Sequence, residues 1–138
     1  GDFIALEKAH LNKGWKLVDN WHPDNKAGKR NSFVDVPMLE ATRPGDRLTL
    51  DFRGKAIGIF CVSGPSAGIL EYSVDGAPFK ELDTFTEWSH NLYIPWVYML
   101  ETELKDTDHK LVLRISKKKN PASQGTECQI RNFVVNGR

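Results

Sequence analysis

Two short blocks in this chain have the spacing of hydrolytic chemistry. Gly64-Pro65-Ser66-Ala67-Gly68 fits G-x-S-x-G, in which a serine on a sharp turn attacks an acyl carbon. Asp106-Thr107-Asp108-His109 fits D-x-x-H, in which the histidine deprotonates the serine and the aspartate orients the ring. Both blocks depend on their context. The serine must stand between a strand and a helix, where backbone N–H groups stabilise the oxyanion. Here Leu70, Tyr72 and Val74 alternate with Glu71, Ser73 and Asp75, the pattern of a strand with one face in water. Pro65 also removes a backbone donor. The Asp–His block opens another alternating stretch, where Asp and His are ordinary turn residues. Near the N-terminus there is no G-D-S block to supply the serine that D-x-x-H serves. Ser66 therefore reads as a hairpin-turn residue and His109 as a turn residue, and no catalytic residue is assigned. A small serine esterase using Ser66 and His109 stands as the alternative.

The remaining polar candidates are weaker. Glu101/Glu103 and Asp106/Asp108 fall in a charged connection where solvated carboxylates are expected. His10, His22, His90 and His109 lack metal-ligand spacing and read as surface or turn residues. Cys61 and Cys128 have no zinc spacing. Cys61 lies in an apolar run and reads as a buried thiol. A disulfide between the two would need their strands to be neighbours. No metal and no cofactor is expected.

The aromatic residues are more informative. The chain has four Trp. Trp21 and Trp88 lie in stretches that read as loops, each followed closely by a histidine, His22 and His90. An exposed ring can stack on the C–H face of a sugar while polar neighbours bond its hydroxyls. Long loops on a rigid scaffold are where binding concentrates. The candidate ligand or docking site is therefore the loop end expected to gather Trp21, His22, Trp88 and His90, with Trp96, Arg30 and Asn120 as further contacts. Trp96 and Tyr98 also fit a core, and the alternative for each Trp is that it only plugs an end of the sandwich.

These residues must be positioned by short strands. Ala56–Val62 is almost wholly apolar, as in a strand covered on both faces. Leu48, Leu50 and Phe52 alternate with polar residues, and so do Leu111, Leu113 and Ile115. Asp75-Gly76 and Arg43-Pro44-Gly45-Asp46 are turn chemistry. Ser32–Leu39 reads as a strand with Pro37 at an edge or bulge. Ile94–Leu100 is apolar with aromatics. Cys128–Val135 closes the chain, its alternation slipping near Arg131-Asn132 as at a bulge. Residues 1–13 read as a lead-in of ambiguous helix or edge strand, and 14–138 as the module. About eight or nine short strands with evenly spaced turns predict an all-β antiparallel sandwich of jelly-roll type. Leu50, Phe52, Phe60, Leu70, Tyr72, Val74, Leu111, Leu113 and Ile115 are its expected core.

Composition sets the outer limits. With 138 residues the chain is expected to form one domain able to bury a core without disulfides. It is 40% hydrophobic and 27% charged, with a net charge of +1, so nothing pulls it as a whole toward nucleic acid or anionic membrane. No apolar run reaches the ~20 residues of a membrane span. No signal-peptide pattern opens the chain, an absence without weight in a sequence expected to be a piece of a longer protein. The run Lys117–Lys119 reads as a solvated loop.

Taken together, several segments resemble a known family. GWKLVDNWHPDN, FVDVPMLEATRPGDRLTLDF, GIFCVSGPSAGILEYSVDG, DTFTEWSHNLYIPWVYML, HKLVLRIS, KNPASQG and CQIRNFVVN follow one another over about residues 14 to 136. In that order they resemble the β-sandwich module appended C-terminally to the catalytic domain of some bacterial SGNH/GDSL-type hydrolases. The resemblance implies a galactose-binding-like jelly roll beside an esterase acting on acylated carbohydrate, secreted or periplasmic. The family's catalytic Ser, Gly, Asn and Asp/His blocks have no matching set here, so no catalytic residue carries over. The expectation is a non-catalytic accessory module that binds glycan or docks on its hydrolase domain, with a purely structural spacer as a further alternative.

Overall fold

The structure is a computed structural model, and it describes residues 2–23, 28–29 and 36–136. It is an antiparallel β-sandwich of jelly-roll type, as the strand pattern predicts, and of the galactose-binding-like kind that the resemblance implies. Among the described residues, twelve strands follow in chain order: β1 (Asp2–Ile4), β2 (His10–Lys13), β3 (Lys16–Val18), β4 (Gly28–Lys29), β5 (Met38–Ala41), β6 (Arg47–Gly54), β7 (Ala56–Ser63), β8 (Ile69–Val74), β9 (Lys80–Asp83), β10 (Leu92–Glu101), β11 (Thr107–Ile115) and β12 (Cys128–Asn136). The larger sheet runs β3-β5-β12-β7-β10-β4, with β1 added on β12. The smaller runs β2-β6-β11-β8-β9. The short β4–β10 pairing is parallel and the other strand pairs are antiparallel.

Residues 2–13 form β1, a 3₁₀ turn at Leu6–Lys8, and β2. β1 bonds to β12 of the larger sheet and β2 to β6 of the smaller, so this segment ties the two layers together. In β6 and β11 the alternation read from the sequence is the alternation of burial. Leu48, Leu50 and Phe52 face Leu113, Leu111 and His109 across the ladder. Asp75 and Gly76 both have positive φ, and the Ala77 N–H closes the turn on Val74 O at 3.2 Å. Only Gly accepts this backbone freely, and Asp tolerates it better than most residues.

The main core lies between the sheets. Leu39, Leu50, Ile57, Ile59, Leu70, Leu111, Leu113, Ile115, Ile130 and Phe133 are its buried centre. Tyr72 packs against it partly buried. Phe60 does not belong to it: directly opposite Val97 and Asn132, it sits out of step with the inward Ile59 and Cys61 and faces the outer side of the larger sheet. The expected bulge in β12 is present, as a register shift between Ile130 and Asn132 against β7. Of the stretch expected as a strand from Ser32, Met38 and Leu39 lie in β5, which follows Pro37. Residues 32–35 lie outside the described residues.

β7 is buried on both sides, as its apolar run predicts. Ile57, Ile59 and Cys61 face the main core, and Val62 joins a second cluster with Trp21, Met38 and Tyr93 on the outer side. Cys61 and Cys128 are both free and buried on the adjacent strands β7 and β12. Cys61 stands opposite Ile130, so Cys128 is its diagonal neighbour. Diagonal Cα atoms are roughly 7–8 Å apart, too far for a disulfide without backbone movement. Burial pushes the Cys61 thiol up to about 12, against the opposing pull of its Ser63 contact, and also raises Cys128.

Candidate functional site

Ser66 sits in a tight turn between two strands. The Ala67 N–H donates to Gly64 O at 3.0 Å, and Ser66 O accepts from the Glu127 N–H at 2.8 Å. The chain goes from there into β8, so no helix N-terminus faces the serine. His109 is engaged elsewhere. It lies within β11, not in a turn, and is buried, which corrects its reading as a surface or turn residue. Its Nδ1 donates to Asp75 Oδ2 at 2.5 Å and its Nε2 donates to Lys105 O at 2.7 Å. With the Asp75 carboxylate ionised, the two acceptors are both satisfied when the ring carries a proton on each nitrogen. Asp75, helped by Lys105 O, holds its pKa above the usual histidine range. A ring with both nitrogens donating has no lone pair with which to deprotonate a serine. Asp75 occupies the place that the D-x-x-H reading gave to Asp106. Asp75 and His109 line an open cleft of about 620 Å³, with Asp51, Phe52, Arg53, Asp108 and Lys110.

The aromatic candidates separate. Trp21 is not an exposed loop ring: it is 3% exposed and packs edge-on against Tyr93 at 5.3 Å. Its Nε1 donates to Glu40 Oε2 at 3.2 Å, and Gln129 Nε2 donates to the same oxygen at 2.9 Å. The apolar residues brought out by β5, β7 and β10 on the outer side give this Trp a second small core, which the sequence did not reveal. His22 is exposed beside it. Trp21, His22, Glu40, Tyr93, Glu127 and Gln129 are among the residues lining a cleft of about 380 Å³.

Trp88 is 65% exposed. It rides on a turn in which the Trp88 N–H donates to Thr86 Oγ1 and the Thr86 N–H donates to Ser89 Oγ. His90 packs edge-on against Phe85. Among the described residues, the hydrogen bonds and ring contacts of Trp21 and His22 run to Tyr93, Glu40 and Pro23, and those of Trp88 and His90 to Thr86 and Phe85. Trp96, half-exposed on β10, lies 6.5 Å from Tyr98 and is no part of the buried core. Asn120 is fastened to the end of β9, donating to Asp83 Oδ2 at 2.8 Å. Arg30 lies outside the described residues.

The surface that sequence reasoning missed is the outer face of the larger sheet. Residues directly opposite across antiparallel strands share a face. Phe3 stands opposite Val134, Val134 opposite Gly58, and Gly58 opposite Met99. The next row carries Asn132, Phe60 and Val97. Phe3, Val97 and Met99 are 63%, 49% and 43% exposed. A Cβ at Gly58 would lie 2.7 Å from Met99 Sδ and from Tyr98 O, so glycine is what lets β10 and its side chain lie close over β7. Four strands thus present one apolar strip. The available signal was β10, whose long apolar run exceeds what one core face needs.

No protein-family model and no curated protein matches the sequence. Solved structures do. A two-domain esterase (CEX) active on acetylated mannans, co-crystallized with mannopentaose, matches with a TM-score of 0.61 and 15% identity, over 96% of this chain and 37% of that chain. A family two carbohydrate esterase from Cellvibrio japonicus matches at 0.56 and 12%, over 94% and 32%. A Paenibacillus xanthan lyase matches at 0.63 and 15%, over 99% and 13%. Identities this low show a shared fold and nothing finer. In each case the sandwich is a minor part of a larger carbohydrate-active enzyme.

Proposed function

We propose that this chain is a non-catalytic accessory module of a secreted carbohydrate-active hydrolase, of the SGNH/GDSL type that the sequence resembles, and that it docks on its catalytic domain. The apolar strip of Phe3, Phe60, Val97, Met99 and Val134 on the outer face of the larger sheet carries this reading. An exposed apolar patch on a soluble domain marks an interaction surface. The minor share that the matching sandwiches take of their parent enzymes supports a covalently linked partner. The engaged ring of His109 and the strand after Ser66 argue against chemistry in the module itself.

The test is calorimetric titration of the chain against the separately produced hydrolase domain of its parent protein. Phe3→Lys with Val97→Lys places two charges in the strip at exposed positions. Affinity is expected to fall at least about tenfold, the effect of roughly 1.4 kcal/mol, with the thermal midpoint unchanged. Unchanged affinity in the double variant would overturn the docking face.

A further inference from the structure

We infer that the opposite outer face, that of the smaller sheet, binds an acidic polysaccharide through the carboxylates of its uronic-acid units. The inference rests on the accessory-module reading and adds a ligand class to it. Where the larger sheet shows an apolar strip, the smaller sheet shows a groove of about 470 Å³ lined by Lys8, His10, Asn12, Arg47, Thr49, Asp51, Lys110 and Val112. Its walls come from the 3₁₀ turn and β2, and its floor from β6 and β11.

Three of those residues are cations and one is an anion, in a chain whose net charge is only +1. Among the described residues, none of Lys8, Arg47 and Lys110 takes part in an ion pair. The register makes this conspicuous. Arg47 stands directly opposite Arg114, and like charges so placed destabilise a sheet. Arg114 is compensated by Glu71 at 2.8 Å, which leaves the Arg47 guanidinium unanswered. Lys110 is opposite Asp51, yet no ion pair closes between them. A sheet face that keeps unpaired cations at a cost to its own stability is built for something other than stability.

The chemistry selects the ligand. A guanidinium presents a planar fork that matches a carboxylate, and Lys8 and Lys110 add point charges elsewhere in the groove. Thr49, Asn12 and His10 offer donors and acceptors suited to hydroxyl groups. The floor of the groove is the outer face of the β6–β11 ladder, which fits a chain lying across the strands. A carboxylate on alternate or successive sugars would meet Arg47 at one end and Lys110 at the other. Docking through the apolar face leaves this groove in solvent.

The test is affinity electrophoresis of the chain in gels containing polygalacturonate or neutral mannan. Retention by polygalacturonate is expected, falling steeply with salt. Arg47→Gln with Lys110→Gln should weaken it at least tenfold. Lys55→Gln with Lys117→Gln, which removes the same charge elsewhere, should leave it nearly unchanged. Equal losses in the two double variants would reduce the effect to net charge and overturn the groove. Stronger retention in a gel containing duplex DNA would overturn the ligand class. Retention by mannan alone, lost in Trp88→Ala and kept in the arginine–lysine variant, would move glycan contact to Trp88 and also overturn it. All these outcomes leave the titration against the hydrolase domain untouched, so either proposal can fail without the other.

Discussion

The proton shared out by His109 belongs to the fold. Asp75 first, then Lys105 O, lifts the histidine above its usual range, although burial works against this. Asp75 is held low in return, first by His109 and then by the Lys110 N–H. A raised histidine contributes stability that is fully present below its unfolded value of about 6.5 and is lost as pH rises through the folded value. A lowered carboxylate contributes stability present above about 3.9 and lost as pH falls through its folded value. The pair is therefore strongest in the window between about pH 4 and 6.5. The Asp75 carboxylate is half-exposed, so solvent keeps the effect small. Between about pH 6 and pH 9 the thermal midpoint of the native chain is expected to fall more than that of Asp75→Asn. Parallel curves would show that the folded ring carries no charge. The sequence drew attention to His109 through an aspartate three residues upstream, whereas its partner lies 34 residues away. Such a pair exists only once β11 and the Asp75 turn are in register, and alternation alone does not fix register.

Individual strands were legible where one face meets water. β6 and β11 alternate in sequence as they alternate in burial, whereas in β8 Ser73 is buried beside Val74. Leu113 is fully buried opposite Leu48 and Tyr72. Leu113→Ala is expected to cost about 2–5 kcal/mol in denaturant unfolding, because the surrounding strands cannot collapse on the cavity. A loss below about 0.5 kcal/mol would be a surface value and would contradict the register. β10 was less legible. Its apolar residues suit a strand covered on both faces, but the cover is uneven. Trp21 and Met38 lie against Val62 and Tyr93, while Trp96, Val97 and Met99 reach solvent. Periodicity reports which side chains share a face and is silent on what lies across that face. Trp21 was misjudged for the same reason: a ring in a stretch that looked polar is buried against Met38, Val62 and Tyr93.

At the scale of the molecule, the fold class followed from many short strands and turns. The placing of function on it did not. Motif spacing put a serine and a histidine in view, yet Ser66 is turned by β7 and β8 and His109 is spent on Asp75. The isolated chain is expected to leave p-nitrophenyl acetate unhydrolysed above the buffer rate. Turnover that disappears in Ser66→Ala would establish an activated nucleophile and overturn the accessory reading. The two outer faces became visible only through cross-strand register, which gathers Phe3, Val134 and Met99 on one side and Arg47 and Lys110 on the other from distant parts of the chain.

The pairing of β1 with β12 also fixes how the module bears tension. Asp2, the first residue of β1, lies opposite Val135, one residue before the end of β12, so the two end strands meet at one end of a single antiparallel ladder. A load drawing those ends apart pulls across the hydrogen bonds and not along the strands. It opens the pairs in sequence, Asp2–Val135, then Phe3–Val134, then Ile4–Phe133, each bond carrying the whole force in turn. A sandwich strung this way yields at low force by unzipping. A tether pulled through its two ends would lengthen first by peeling β1 away, well before the β7–β12 ladder beneath is loaded.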